Sequence, residues 1–308
     1  MHITLANPRG FCAGVERAID IVNQALQKYG APIYVFHEIV HNRHVVEDLR
    51  QRGAVFVEAI TDIPAGGVCI FSAHGVAKKV VTQAQQHHLN IIDATCPLVT
   101  KVHAQLQRYH QTGHELIIIG HRGHPEVEGV QGQVNARVHV LAKISEVADL
   151  SVKTPDKLAY VTQTTLSVDD TQDMIKALKQ RFPKIQGPDI NDICYATQNR
   201  QNAVKQLATA VDVLLVVGAP NSSNSNRLRE KAAQTGIHAY LVADASEVQA
   251  AWFADNRRVG VTAGASAPEI LVQQVIDYLE KLPQVSAITA LNEMAGEPET
   301  IRFKLPPF

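Results

Sequence analysis

Short runs of β-branched and aliphatic residues alternate with amphipathic stretches of helical period along most of this 308-residue chain. That alternation narrows the fold more than any other feature. Strand-like runs stand at 2–6, 33–37, 54–58, 68–72, 90–93, 115–119, 138–142, 158–162, 212–218, 238–242 and 258–262. Helical periodicity marks 14–29, 42–52, 77–88, 98–112, 168–182, 196–210, 225–236 and 268–282. In the first of these, Val15, Ala18, Ile19, Val22, Ala25, Leu26 and Tyr29 share one face that must pack on a sheet, and Gly30 ends the helix. Strands apolar throughout, separated by helices, predict an α/β protein with mostly parallel sheets covered on both faces.

The punctuation predicts three small α/β units. Cys12, Cys96 and Cys194 each stand in a polar, turn-like break just before a helix, at intervals suited to one small domain each. The expected units are 14–95, 96–192 and 193–282, the last joined by an N-terminal strand from 1–13. Residues 283–308 read as a C-terminal tail rich in Pro and Glu, with one short strand around 285–291.

Charge excludes several classes of partner. The chain has 29 basic and 30 acidic residues, so no global field draws it to nucleic acid or to an anionic membrane. Its most apolar run, 211–219, is too short to span a bilayer and reads as a buried strand. The start, HisIleThrLeuAla at 2–6, is strand-like and has neither a basic nor a long apolar leader region. The expectation is a cytoplasmic location. In that reducing compartment Cys12, Cys69, Cys96 and Cys194 are free, ligating or catalytic rather than disulfide-bonded.

The junctions where strands feed helices carry the chemistry. Ligands of open α/β sheets bind there, and helix N-termini favour anions. Strand 68–72 runs into SerAlaHisGlyVal with His74, and strand 115–119 into GlyHisArgGlyHisProGluValGluGly with His121, His124, Glu126 and Glu128. Strand 158–162 leads to GlnThrThrLeuSer with Thr164, and strand 212–218 to AsnSerSerAsnSerAsn with Ser222, Ser223 and Asn224. Strand 258–262 leads to AlaGlyAlaSerAlaPro with Ser266, and strand 33–37 to His41, Asn42, Arg43 and His44. Any one of these is explained by ordinary helix capping. Six together predict a polar pocket for phosphate or diphosphate. With neither a Walker loop nor a GlyxGlyxxGly fingerprint, ATP and dinucleotides are not the expected ligands.

Among the histidines, His41, His74 and His124 occupy pocket positions, while His37 and His44 lie near the pocket and fit a structural role equally well. His87, His88, His103, His110, His114, His139 and His238 read as solvated. Glu126 is placed to give or relay a proton, since partial burial would raise its pKa. The plainer alternative is a carboxylate in a helical first turn after Pro125. Cys69, within GlyValCysIlePhe, reads as a small buried hydrophobe. The other three cysteines lie near helix starts, where a thiolate is stabilised, but none has a CysxxCys partner.

Taken together, ProArgGlyPheCysAlaGly at 8–14, AspAlaThrCysProLeuValThrLysValHis at 93–103, GlyHisProGluValGluGly at 123–129, ThrGlnThrThrLeuSerValAspAspThr at 162–171, AsnSerSerAsnSerAsnArgLeu at 221–228 and ThrAlaGlyAlaSerAlaPro at 262–268 resemble a known family. It is that of the 4-hydroxy-3-methylbut-2-enyl diphosphate reductases of the non-mevalonate isoprenoid pathway. The resemblance implies a [4Fe–4S] cluster at the centre of three α/β units, held by Cys12, Cys96 and Cys194. It implies a diphosphate site of His41, His74, His124, Ser222, Ser223, Asn224 and Ser266. Thr164 would orient the substrate hydroxyl and Glu126 would supply the proton, with His124 beside it. It also implies a protein electron donor, flavodoxin or ferredoxin. Three other readings compete: a zinc hydrolase, because HisProGlu at 124–126 matches half of a deaminase motif; a non-catalytic iron–sulfur sensor; and a simple phosphate-ester binding module.

Overall fold

The computed structural model describes residues 1–188, 192–253, 258–282, 290–296 and 298–307. Its strands are β1 His2–Leu5, β2 Ile33–Phe36, β3 Ala54–Val57, β4 Val68–Phe71, β5 Asn90–Asp93, β6 Glu115–Ile119, β7 Val138–Leu141, β8 Leu158–Thr162, β9 Val213–Val217, β10 His238–Val242, β11 Arg258–Ala263 and β12 Ala290–Glu293. Its α-helices are α1 Ala13–Tyr29, α2 Arg43–Gln51, α3 Lys78–Gln86, α4 Pro97–Gln111, α5 Pro125–Gln131, α6 Glu146–Asp149, α7 Val168–Arg181, α8 Tyr195–Ala208, α9 Ser223–Ala233 and α10 Glu269–Glu280.

The strands form three sheets, ordered β10-β9-β11-β1-β12, β3-β2-β4-β5 and β7-β6-β8. Every pairing between named strands is parallel. The apolar runs explain this. β4, β8 and β9 are buried along their whole length, as strands covered by helices on both faces must be. Each aliphatic side chain buried there stabilises the fold by roughly 1.5–3 kcal/mol.

Two compact units result. One comprises Met1–Val15, His41–Val45 and Tyr195–Arg302, and contains the five-stranded sheet. The other comprises Glu16–Val40, Val46–Cys194 and Phe303–Phe308, and contains the four- and three-stranded sheets.

All three sheets share one topological device. β9 is flanked by β10 on one side and β11 on the other; β2 is flanked by β3 and β4; β6 is flanked by β7 and β8. In each, the chain winds outward one way and then reverses. Such a reversal opens a crevice at the carboxyl ends of the two central strands. The strand pairs concerned are β9/β11, β2/β4 and β6/β8, whose exits carry most of the polar junctions of the sequence.

Several local expectations need correction. α9 begins at Ser223, two residues before the expected start, because Ser222 supplies its N-cap. The short helix α5 follows His124 directly, since Pro125 at N1 is preset for a helix. His139 is buried, not solvated, and its Nε2 meets Glu115 Oε1 at 2.7 Å. His103 is half-buried as well, and loss of water pushes its pKa down to about 4 against the pull of Asp93. In the tail, β12 starts at Ala290, and 283–289 lie outside the described residues. No helix among the described residues is long and apolar enough to cross a membrane.

Candidate active site

At the β6/β8 crevice the chain assembles a buried acid. His124 is the N-cap of α5, and its Nδ1 accepts the Glu126 N–H at 3.1 Å. That places Glu126 in the first turn, as the plainer reading held. Its side chain, however, is buried rather than displayed to solvent, with the residue only 2% exposed. Thr164, just past β8, donates its backbone N–H to Glu126 Oε1 at 2.6 Å and its hydroxyl to Oε2 at 3.0 Å. Desolvation lifts the Glu126 pKa to about 7; the two Thr164 bonds oppose the rise and the charge of Asp192 adds to it. The result is a carboxyl that exchanges a proton near neutral pH.

The β2/β4 crevice supplies His74. The turn after β4 is pinned where the Ala73 N–H donates to Ile39 O at 3.2 Å. Gly75 has φ +75°, and a Cβ there would fall 2.8 Å from His103. On α5, a Cβ at Gly129 would lie 2.9 Å from the Gly75 carbonyl. Gly75 leaves room for His103 of α4 and Gly129 lets α5 pack onto the turn, and the His74 and His124 rings meet edge to face at 5.8 Å. Sequence reading placed both histidines in a pocket but could not say that they touch.

The other unit gathers its own polar set at the β9/β11 crevice. The Asn224 Oδ1 accepts the Ala265 N–H at 2.8 Å, which fixes the amide orientation. Its Nδ2 is then buried with no hydrogen-bond partner among the described residues. A buried orphan donor is costly, and an acceptor such as a phosphate oxygen would satisfy it. Ser222 accepts from Ser225 N and Ser225 Oγ at 3.3 and 3.0 Å, so it caps α9 as the bland reading expected. Capping uses its acceptor capacity and not its hydroxyl proton. Ser223 and Asn224 occupy the first turn of α9, at a helix N-terminus that favours an anion. Ser266 donates to His41 O at 2.9 Å, and His41 Nδ1 lies 3.4 Å from Asn221 Nδ2. Asn221, at the head of the AsnSerSerAsn run, joins this set through His41, a contact that the sequence alone does not single out.

The cysteines separate as their contexts predicted. Cys69 is fully buried in β4, and burial pushes its thiol up to about 12. Cys12, Cys96 and Cys194 are partly exposed, and each immediately precedes a helix: α1, α4 and α8. There the helix N-terminus favours a thiolate. The Cys194 N–H donates to Thr164 O at 3.0 Å, the Cys96 N–H to Ala73 O at 3.0 Å, and the Cys12 N–H to Ala265 O at 3.2 Å. Each cysteine is therefore tied to the exit of a crevice strand. Among the described residues no three His, Cys, Asp or Glu side chains converge on one metal-ion position. Thiolates of an iron–sulfur cluster ligate separate irons and need no such convergence. Three accessible, soft sulfur ligands at helix starts suit that group chemically; the buried Cys69 does not.

Asp192 is a further group that sequence reading missed. It is buried, burial raises its pKa, its Oδ2 accepts the Thr162 N–H at 3.4 Å, and its charge acts on Glu126.

Fold and site together define an α/β protein of three parallel sheets whose strand-exit crevices carry a buried acid, anion-seeking donors and accessible thiols. The chain belongs to the family described as LytB protein, whose model matches residues 3–280. A protein of Burkholderia pseudomallei named 4-hydroxy-3-methylbut-2-enyl diphosphate reductase is 59% identical over 306 residues, covering 99% of this chain and 96% of that one. One of the same name from Chromobacterium violaceum is 58% identical over 305 residues, covering 99% and 97%. Among solved structures, the E-1-hydroxy-2-methyl-but-2-enyl-4-diphosphate reductase of Plasmodium falciparum matches with a TM-score of 0.94 at 36% identity, covering 99% of this chain and 95% of that chain.

Proposed function

We propose that this chain reduces 4-hydroxy-3-methylbut-2-enyl diphosphate to isopentenyl and dimethylallyl diphosphate. The observation that carries the reading is the Glu126–Thr164 pair: a buried carboxyl poised near neutrality, tied to a hydroxyl, in a chain whose near relatives bear the reductase name. All the relatives reported above are reductases, so the zinc-hydrolase and sensor readings gain no support.

The reaction consumes two electrons and two protons. The C4 hydroxyl leaves with one proton as water, and the other proton goes to carbon. A [4Fe–4S] cluster held by Cys12, Cys96 and Cys194 would supply the electrons one at a time, with an iron free of protein ligand as Lewis acid.

The remaining work falls to the chain's own groups. Glu126 carries the proton for the departing hydroxyl, because burial lifts its pKa to about 7 and leaves a substantial protonated fraction at neutral pH. Thr164 orients the substrate hydroxyl and passes the proton. His124 holds the first turn of α5 and presents its second ring nitrogen to phosphate. His41, His74, Ser222, Ser223, Asn224 and Ser266 complete diphosphate recognition, with the Asn224 amide donating from a buried position. Binding energy from the diphosphate, remote from the reacting carbon, fixes the carbon's position. The enzyme works in the cytoplasm and receives its electrons from another protein, flavodoxin or ferredoxin.

The test is anaerobic turnover of the hydroxylated diphosphate with a chemical reductant. Brown protein that forms both products supports the reading; colourless, zinc-containing protein that forms neither would end it.

A further inference from the structure

Two arginines do the same thing in two different places. In one unit Arg200 of α8 is fully buried. Its Nε and Nη2 donate to Gly10 O at 3.1 and 2.8 Å, and Nη2 also reaches Phe11 O at 3.1 Å. Those are the two carbonyls immediately before Cys12. Gly10 has φ +67°, and its N–H is held by Ala263 O at 3.2 Å, so the loop is gripped from both sides. A buried guanidinium needs a counter-charge. Here it comes from the C-terminal segment: Glu299 accepts from Nη1 at 3.0 Å and from Nη2 at 3.2 Å. Asn199 Nδ2 holds the same carboxylate at 3.0 Å.

In the other unit Arg17 of α1 repeats the pattern. Its Nη1 donates to Ala94 O at 3.3 Å and Thr95 O at 3.1 Å, the two carbonyls immediately before Cys96. Its Nε donates to Lys304 O at 2.8 Å, again in the C-terminal segment. Neither arginine is on the same helix as the other, and the two cysteine loops are unrelated in sequence. The shared geometry is a guanidinium spanning the two peptide carbonyls before a thiol, through Nε and Nη2 in Arg200 and through Nη1 alone in Arg17, while another of its nitrogens is held by the chain's last residues.

We propose that Arg17 and Arg200 are positioning residues that hold the loops presenting Cys96 and Cys12, and that segment 298–304 completes both clamps and so governs retention of the metal group. The proposal rests on the cluster reading above. A guanidinium grips the carbonyls and the C-terminal segment at once through different nitrogens, whereas the single ammonium nitrogen of lysine cannot reach both. Groups that orient a ligand from behind carry about 10-fold or more of metal affinity. Cys194 is held differently, through its own N–H to Thr164 O.

The experiment follows iron release to a strong chelator from the anaerobic holoprotein, by loss of cluster absorbance. The variants are Arg17→Lys, Arg200→Lys, Glu299→Gln and a deletion of 298–308, with Arg50→Lys as a surface control. Release should be about 10-fold faster in the two arginine variants and in the deletion. The melting temperature of the cluster-free protein should be unchanged in Arg17→Lys, whereas the deletion, which strips the buried Arg200 of Glu299, should lower it. Arg50→Lys should release iron as wild type does. If Arg200→Lys or the deletion does not fold, Arg17→Lys still decides, and a wild-type release rate in Arg17→Lys would overturn the proposal. A wild-type protein that takes up no iron would sink the cluster reading itself, and the two failures are thus distinguishable.

Discussion

The Glu126 carboxylate takes two hydrogen bonds from one residue, Thr164: the backbone N–H at 2.6 Å and the hydroxyl at 3.0 Å. The peptide carbonyl of Thr164 in turn accepts the N–H of Cys194. Thr164 therefore ties the acid to a thiol loop and tunes the acid's proton affinity. Thr164→Val removes the hydroxyl bond that holds the Glu126 pKa down, while Thr164→Ser keeps it. The Val variant should turn over about 100-fold slower, with its pH–rate profile displaced to higher pH, and the Ser variant should recover most of the loss. Equal rates in Val and Thr proteins would remove the hydroxyl from the reaction.

Glu126→Gln preserves shape and hydrogen-bonding capacity but not the titratable proton. It should keep its cluster and bind diphosphate, yet turn over roughly 100-fold slower per cluster. A capping role alone predicts lowered stability with normal turnover of the folded fraction. Anaerobic turnover and melting temperature on one sample separate the two.

Burial also makes Glu126 a pH-dependent cost to folding. Its folded pKa of about 7 lies above the ordinary glutamate value of 4.5, so the folded protein binds more protons between those limits. Stability should be greatest below pH 4.5 on this account, fall as pH rises to about 7, and level off above. The difference is about 3 kcal/mol for a shift of this size. Glu115 and Glu146 are shifted down, each with hydrogen bonds that outweigh its burial, so their contributions are lost on acidification below the ordinary carboxylate range. Subtracting the melting profile of Glu126→Gln from that of wild type isolates the first effect. A pH-independent difference between pH 4.5 and 7 would refute the raised pKa.

Replacing Cys12, Cys96 or Cys194 by Ser should lose iron, whereas Cys69→Ser should keep it. Cys69 is fully buried in β4, so the serine hydroxyl there costs about 1–2 kcal/mol of stability and no metal. Iron content and urea midpoint on all four variants check this. A Cys69 variant without iron beside a Cys194 variant with iron would reverse the assignment.

Asn224 Nδ2 is a buried donor in want of an acceptor. Inorganic diphosphate should raise the melting temperature of the holoprotein in a concentration-dependent way and compete with substrate. Asn224→Ala should weaken both effects at least about 10-fold, while leaving the cluster absorbance intact. Diphosphate that neither inhibits nor stabilises at millimolar concentration would show that the site has been misread.

Much of the fold is legible in periodicity because burial is a one-dimensional signal. ValLeuLeuValVal at β9 is short and β-branched, as a strand covered on both faces is, and the 3.6 period of α1 marks a helix with one buried side. The split between Cys69 and the other cysteines is legible for the same reason: an apolar run on both sides of a thiol marks it as core. His139 and His103 were misread because their burial comes from residues distant in sequence, Glu115 for one and Gly75 for the other.

By itself the sequence determines the α/β class, the strands and helices, and the chemical content of each strand-to-helix junction, since these depend on neighbours within a few residues. Only tertiary structure decides which junctions meet. The reversals at β9/β11, β2/β4 and β6/β8 are choices of strand order, made by packing between distant segments and invisible to local pattern. Those choices bring Thr164 to Glu126, Ala265 to Asn224 and Arg200 to Gly10, across 38, 41 and 190 residues of chain. A carboxyl that is an ordinary first-turn glutamate in sequence becomes an acid poised near neutrality because water is excluded from it there. Dielectric exclusion is a property of the folded surroundings, not of the residue.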